Sequence, residues 1–448
     1  MLSHWDLILS PVFLFVIFFI SSAIKNKNIT SKPEYKYYSW GLLAKIIGGI
    51  SLTLVYIFYY TTGGDTLSYF HDGSELNKLF FDDPQTYFRI LFTGLSTEDS
   101  INLSSTYNFH YGHDVYAFFV SRLTSLFLFV TFRNIIPTVI LFAWLSYLGI
   151  WKLYLLFSDL YPKYYKYLSI GVLFIPSVFF WGSGILKDTI TLSATAWYTF
   201  NFYKVFIKKE QITKNLILLI INAFLILSIK PYIIVAILPG SILWLSYNPI
   251  SAIKNKIIKV LIAPFLVIVG VFLGIYFINI FGDSLGKYSD TRKLIKTAKI
   301  TQQDLIRSEQ YGKNFHNIGE FDESITGILG KSPEAVIAGL YRPFIWESNN
   351  IVMLISGVEN LLFLLLTIFL LLKFGPAQIF KIISREPIIF FSIVFSIIFA
   401  FSVGLSTANF GALVRYRIPA LPFFINGLIL VYCFCQEIKK KKDMESTF

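Results

Sequence analysis

Long uncharged apolar runs restrict what this chain can fold into more than any other feature of its sequence. Residues 260–278 carry no charge, and neither do residues 361–372. A run of about 20 apolar residues is long enough to cross the hydrocarbon core of a bilayer. In lipid each backbone N–H and C=O must find its partner within the segment, so runs of this kind have to be helices. A transmembrane barrel would alternate apolar and polar residues, and these runs do not alternate. Only 15% of the 448 residues are charged and 55% are hydrophobic, against about a quarter charged in a soluble domain.

The resulting expectation is an all-α, polytopic bundle of about 11 spans: 5–24, 41–61, 135–157, 167–184, 188–207, 214–230, 232–247, 257–281, 352–373, 387–405 and 418–435. The net charge of +12 suggests orientation rather than nucleic acid, because the lysines sit in short links between runs. Lys25 to Lys36, Lys163 and Lys166, Lys204 to Lys214, Lys254 to Lys259, Lys373 to Arg385, and Lys439 to Lys442 all fall on one side of the membrane if the N-terminus is outside and the C-terminus cytoplasmic. The first run, 7–24, lacks a basic leader region and a small-residue cleavage site, so it is read as a retained helix. Cys433 and Cys435 lie at the cytoplasmic end, where a disulfide is not expected.

This orientation requires 115–131 not to span. It carries Ser121, Arg122, Thr124 and Ser125 close together and is placed at the outer interface. The chain then reads as a single membrane domain, 1–448, with two external elaborations. These are a first loop with interfacial helices at 62–134 and a second loop at 282–350.

Charged residues cluster near the ends of the runs. Gly63-Gly64-Asp65-Thr66 stands at the outer end of the second span, with Tyr69 following. Asp65 is either the cap of the next helix or a general base held at headgroup level. Lys187 and Asp188 follow Trp181-Gly182-Ser183-Gly184 between two spans. Lys230, Arg342, Arg415 and Arg417 belong to the same level, with Trp346 and Glu347 beside Arg342. Any one of these cations is accounted for by snorkelling. As a set they suit a phosphate or diphosphate headgroup, which guanidinium groups bind in forked pairs. His110, His113 and Asp114 match no metal signature and are read as an acceptor-binding or structural group. No Walker loop, nucleophile elbow or HExxH pattern occurs.

Across roughly residues 41–209 these features resemble the GT-C superfamily of membrane glycosyltransferases, which includes protein O-mannosyltransferases and the lipid A aminoarabinose transferase. Gly64-Asp65-Thr66 with Tyr69 looks like the early-loop motif that supplies the catalytic acid. His113-Asp114-Val115-Tyr116, the helix to Thr131, and Arg133 look like a divergent form of the family's His-Pro-Pro helix and the Arg that follows it. Asp188 matches an Asp at the start of a later helix. The sequence departs from the pattern where Thr66 replaces the second acidic residue, where the two prolines after His113 are missing, and in an extra span before the catalytic one. The segments around Arg342 and Arg415 look more like membrane proteins of bacterial surface-polysaccharide clusters.

The resemblance implies a bacterial inner-membrane enzyme that moves a sugar from a polyprenyl-phosphate or diphosphate-linked donor to a glycan, lipid or protein acceptor on the non-cytoplasmic side. In that reading Asp65 is catalytic. Lys187, Lys230, Arg342, Arg415 and Arg417 bind the lipid phosphate. Tyr69, His110, His113, Asp114, Asp188, Trp346 and Glu347 support sugar or acceptor. Membrane lipids are the remaining partner, nucleic acid is not one, and no cofactor is called for, with a divalent metal left open. Two alternatives accompany it: a polymerase or ligase of the O-antigen type, and a transporter or flippase of lipid-linked sugars, for which Glu359 inside a predicted span is the best argument.

Overall fold

The fold is described from a computed structural model, which covers residues 2–60, 64–251, 253–254, 256–280 and 325–445, together with residues 300 and 319. Gly63 and most of the predicted second loop lie outside the described residues. Every described element is helical. In chain order the α-helices are α1 His4–Asn28, α2 Tyr38–Phe58, α3 Asp65–Asp82, α4 Pro84–Thr93, α5 Thr97–Leu103, α6 Val115–Thr131, α7 Ile135–Leu160, α8 Tyr165–Leu173, α9 Pro176–Trp181, α10 Lys187–Phe202, α11 Ile212–Ile229, α12 Tyr232–Ser251, α13 Lys256–Ile280, α14 Ile325–Gly330, α15 Ser332–Tyr341, α16 Ile351–Phe374, α17 Pro376–Ile383, α18 Pro387–Ser406, α19 Phe410–Tyr416 and α20 Leu421–Glu445.

Among the described residues, seven helical stretches are long and apolar enough to cross a membrane, so the chain is a polytopic helical membrane protein. They are α1, Pro33–Phe58, α7, α11, α16, α18 and α20. The segment expected at 167–184 is not one helix: it breaks between α8 and α9. Pro176 supplies the reason. It has no N–H to continue the ladder, and its ring clashes with the preceding turn.

The chain forms two compact units, each assembled from separated stretches of sequence. The first comprises Met1–Leu160, Val178–Phe202 and Ile212–Lys230; the second comprises Tyr161–Ser177, Tyr203–Gln211 and Pro231–Phe448.

In the first unit, glycines set how closely backbones approach. A Cβ on Gly48 of α2 would lie 2.0 Å from the Phe179 carbonyl oxygen, and one on Gly73 of α3 would lie 2.9 Å from Thr124 of α6. That second approach buries the polar stripe of α6. Ser121, Thr124 and Ser125 are each fully buried, and Arg122 nearly so. Arg122 donates to the Leu91 carbonyl at 2.9 Å, near the end of α4. Asp114 starts α6 by accepting the Tyr116 and Ala117 N–H groups at 3.0 Å each, the usual N-cap arrangement. The loop helices α3 to α6 close over a small core of Leu76, Leu79, Tyr87, Ile90, Tyr107 and Phe118.

In the second unit, α15 packs on α18 through the same device. A Cβ on Gly339 would meet the Ala400 carbonyl at 2.2 Å, and one on Gly404 would meet that of Ala335 at 2.0 Å. Phe391, Phe395, Phe399 and Phe423 pack ring against ring through the core of this unit, Phe423 edge-on to Phe391 and Phe395. Glu359, within α16, is buried and accepts the Ser177 N–H at 2.8 Å and its hydroxyl at 2.6 Å. The one carboxylate inside this predicted span therefore finishes the backbone that the Pro176 break leaves open.

The loop core also carries a titratable tie. Arg89 of α4 grips Asp99 of α5 with two hydrogen bonds, at 2.8 and 2.5 Å. The guanidinium holds the Asp99 carboxyl well below the usual carboxylate range, helped by the Ser96 hydroxyl and N–H. A carboxyl whose folded value is depressed contributes stability above its unfolded value, about 3.9, and loses that contribution as pH falls toward the folded value. Asp99→Asn should therefore lower the thermal midpoint of the detergent-solubilised protein at pH 7. The gap from wild type should narrow progressively as pH falls below about 4 toward the depressed folded value, because the unfolded chain takes up the proton first. Thermal melts followed by fluorescence at a series of pH values measure both effects.

Candidate functional site

The first unit brings six of the sequence-predicted residues into one chain of contacts, joined by Tyr111, which the sequence did not single out. Asp65 is the first residue of α3, after Gly64 in extended backbone. It lies at the positive end of that helix, which favours a carboxylate. The Tyr111 hydroxyl donates to it at 2.5 Å. Tyr111 in turn stacks on Tyr69, one turn along α3, with ring centroids 4.7 Å apart. Three residues past Tyr111 stands Asp114, whose N–H donates to the Tyr111 carbonyl at 2.9 Å. The other Asp114 oxygen lies 3.6 Å from the Lys187 ammonium. Lys187 opens α10 and is 18% exposed along its side chain. Asp188 follows, fully buried, in an ion pair with the buried Lys230 at the end of α11.

The line thus runs Tyr69, Tyr111, Asp65, then Asp114, Lys187, Asp188, Lys230. It gathers the N-terminal ends of α3, α6 and α10. Thr66 seats the first of these against the third. It is buried, and its hydroxyl lies 3.3 Å from where a Cβ on Gly184 would be. A side chain at 184 would meet Leu52 of α2 at 2.7 Å and crowd Thr66 as well.

Lys45 was not singled out from the sequence. It lies in α2, is almost completely buried, and its ammonium donates to the Gly182 carbonyl, which also accepts from Ser146 at 2.9 Å. It holds the 182–186 turn that delivers Lys187. A lone lysine within an apolar run was the available signal, since such residues are costly in a membrane unless they have work to do.

His110 also joins the first unit, together with two residues that received no role from the sequence, His71 and Asp72. The His110 N–H donates to Asp72 at 2.8 Å and the Tyr111 N–H at 2.9 Å. His113 is exposed. Arg133, just past α6 in left-handed backbone, donates to Asn77 of α3 at 2.6 Å.

The remaining residues belong to the second unit. Arg342 holds Glu347, whose carboxylate also accepts the Phe344 N–H at 2.8 Å. Trp346 stacks on Phe344 at 4.8 Å and is largely exposed. Arg415 is half-buried with its guanidinium 5.4 Å from the Tyr416 ring. Arg417 is fully buried, donating to the carbonyls of Leu340 at 3.2 Å and Arg342 at 2.9 Å, and to the Asn360 side chain. It ties the end of α15 to α16. The same unit contains an apolar recess of about 470 Å³, lined by Ile170, Phe174, Leu354, Val358 and Leu362 beside Glu359.

No family model, curated protein or solved structure matches the chain.

The Arg417 arrangement has a measurable consequence. Replacing it with an apolar residue leaves buried carbonyls without donors, each worth roughly 1–3 kcal/mol. Arg417→Met should therefore lower the thermal midpoint sharply, whereas Arg415→Met should lower it little. Melts of the two purified variants compare them directly.

Proposed function

We propose that the chain is a membrane glycosyltransferase that moves a sugar from a polyprenyl-phosphate-linked donor to an acceptor hydroxyl on the non-cytoplasmic side. The observation that carries this reading is the Asp65–Tyr111 pair, linked through Asp114 to the Lys187 ammonium. It supplies a proton acceptor and a cation from two helix ends of one unit.

In the proposed reaction the acceptor oxygen attacks the anomeric carbon. The bond from that carbon to the phosphate oxygen breaks, and the bonding pair leaves with the phosphate. Asp65 takes the acceptor proton, a role worth typically 10²–10⁴-fold in rate. Lys187 stabilises the negative charge on the departing phosphate, most effectively where water is partly excluded. Tyr111 holds Asp65 in place, and Lys230 acts through Asp188 to fix the start of α10.

The reading is tested in a strain deleted for this chain and complemented with variants, using the surface glycan lost on deletion as readout. Asp65→Asn should reduce that glycan at least 100-fold at wild-type protein level. Lys187→Ala should do so comparably, and Tyr111→Phe less severely, because the stack on Tyr69 survives. Full glycan synthesis by Asp65→Asn would end the proposal.

A further inference from the structure

We propose that His71, Asp72 and His110 form a binding site for a divalent transition-metal ion of the zinc type. The three side chains group together in the first unit, on α3 and on the loop before α6. The two Nδ1 atoms are 3.1 Å apart. Each also faces the same Asp72 oxygen, that of His110 at 3.3 Å and that of His71 at 3.6 Å. Zinc holds nitrogen and oxygen ligands at about 2.0–2.2 Å in tetrahedral geometry, which puts neighbouring ligand atoms about 3.3–3.5 Å apart. The observed triangle is close to one face of such a tetrahedron.

Protons alone satisfy this arrangement poorly. A ring nitrogen has a single in-plane direction, for one N–H or one lone pair. Here the His110 Nδ1 faces both a second ring nitrogen and a carboxylate oxygen. Three donor atoms this close to one another are served together by a cation.

The surroundings are those of a ligand held in advance. Asp72 is fully buried, and its two oxygens are oriented by the His110 and Tyr111 N–H groups, with the Ser121 hydroxyl at 3.4 Å. Partners of this kind fix a ligand's direction and tune its affinity. The histidine side chains are 42% and 47% exposed, which leaves an entry path and a fourth position for water. Two imidazoles with one carboxylate suit zinc and cobalt over magnesium or calcium.

A metal here would clamp the loop before α6 onto α3 and so fix Tyr111, whose hydroxyl reaches Asp65. The site does not depend on the sugar-transfer reading, and its test reads metal rather than product.

The test uses the full-length protein in detergent, stripped with EDTA, reloaded with Zn²⁺ and desalted, with metal counted by mass spectrometry. Wild type should retain about one zinc per chain and gain thermal stability on loading. The double variant His71→Ala/His110→Ala should lose that zinc and the stabilisation, whereas His113→Ala should keep both. Cobalt loaded in place of zinc should give the intense visible bands of a tetrahedral site in wild type only. Size-exclusion elution of the double variant identifies a misfolded sample, and the wild-type stoichiometry and cobalt spectrum decide the matter without it. Wild type holding less than a tenth of a zinc per chain, or a folded double variant holding as much as wild type, would overturn the site.

Discussion

A helix that ends inside an apolar protein leaves backbone groups that water cannot reach, and this chain meets that constraint with buried charges. Four N–H groups at one end of each helix and four C=O groups at the other have no partner within it. Glu359 takes the Ser177 N–H where Pro176 interrupts the chain. Lys45 takes the Gly182 carbonyl where α9 ends. Arg417 takes the carbonyls at the end of α15. Arg122 takes the Leu91 carbonyl near the end of α4. Each of these ionisable groups is buried, and each closes backbone that its neighbours leave open. Burying a charge is costly unless it is paired and hydrogen-bonded, so removing either side of such a contact exposes the cost of the other.

This constraint separates two kinds of charged residue that look alike in sequence. Arg417 and Lys187 both sit at helix ends, yet the Arg417 guanidinium is spent on two carbonyls and an amide, whereas Lys187 keeps part of its side chain exposed and its contact with Asp114 is 3.6 Å long. A cation wrapped by backbone carbonyls cannot turn away without unsatisfying them. Arg417 is thus an architectural residue, holding the end of α15 against α16.

The helical, membrane-spanning character was legible because it rests on composition along one dimension. The stretches expected at 352–373 and 387–405 correspond to Ile351–Phe374 and Pro387–Ser406, since lipid-length apolar runs bounded by Gly or Pro leave little freedom. The break at Pro176 was equally visible as a proline but was smoothed over by the apolar residues on either side. The role of Asp114 as an N-cap could be read locally, from its place before an apolar helix. The burial of Ser121, Thr124 and Ser125 could not. A polar stripe on an apolar helix suggests water, and only the close approach at Gly73 shows that the stripe packs on α3.

The His71, Asp72 and His110 group shows the same limit from the side of chemistry. His110 was weighed with His113 and Asp114 because they are neighbours in sequence. The structure separates them: His113 is exposed and Asp114 caps α6, while the partners of His110 lie 38 and 39 residues earlier. What brings them together is a carboxylate accepting two consecutive loop N–H groups, a contact with no short-range signature. That carboxylate, Asp72, is one helical turn past Tyr69 on α3, and the loop it anchors carries Tyr111 to Asp65. The position of the candidate base is thus fixed by a residue to which the sequence assigned no role.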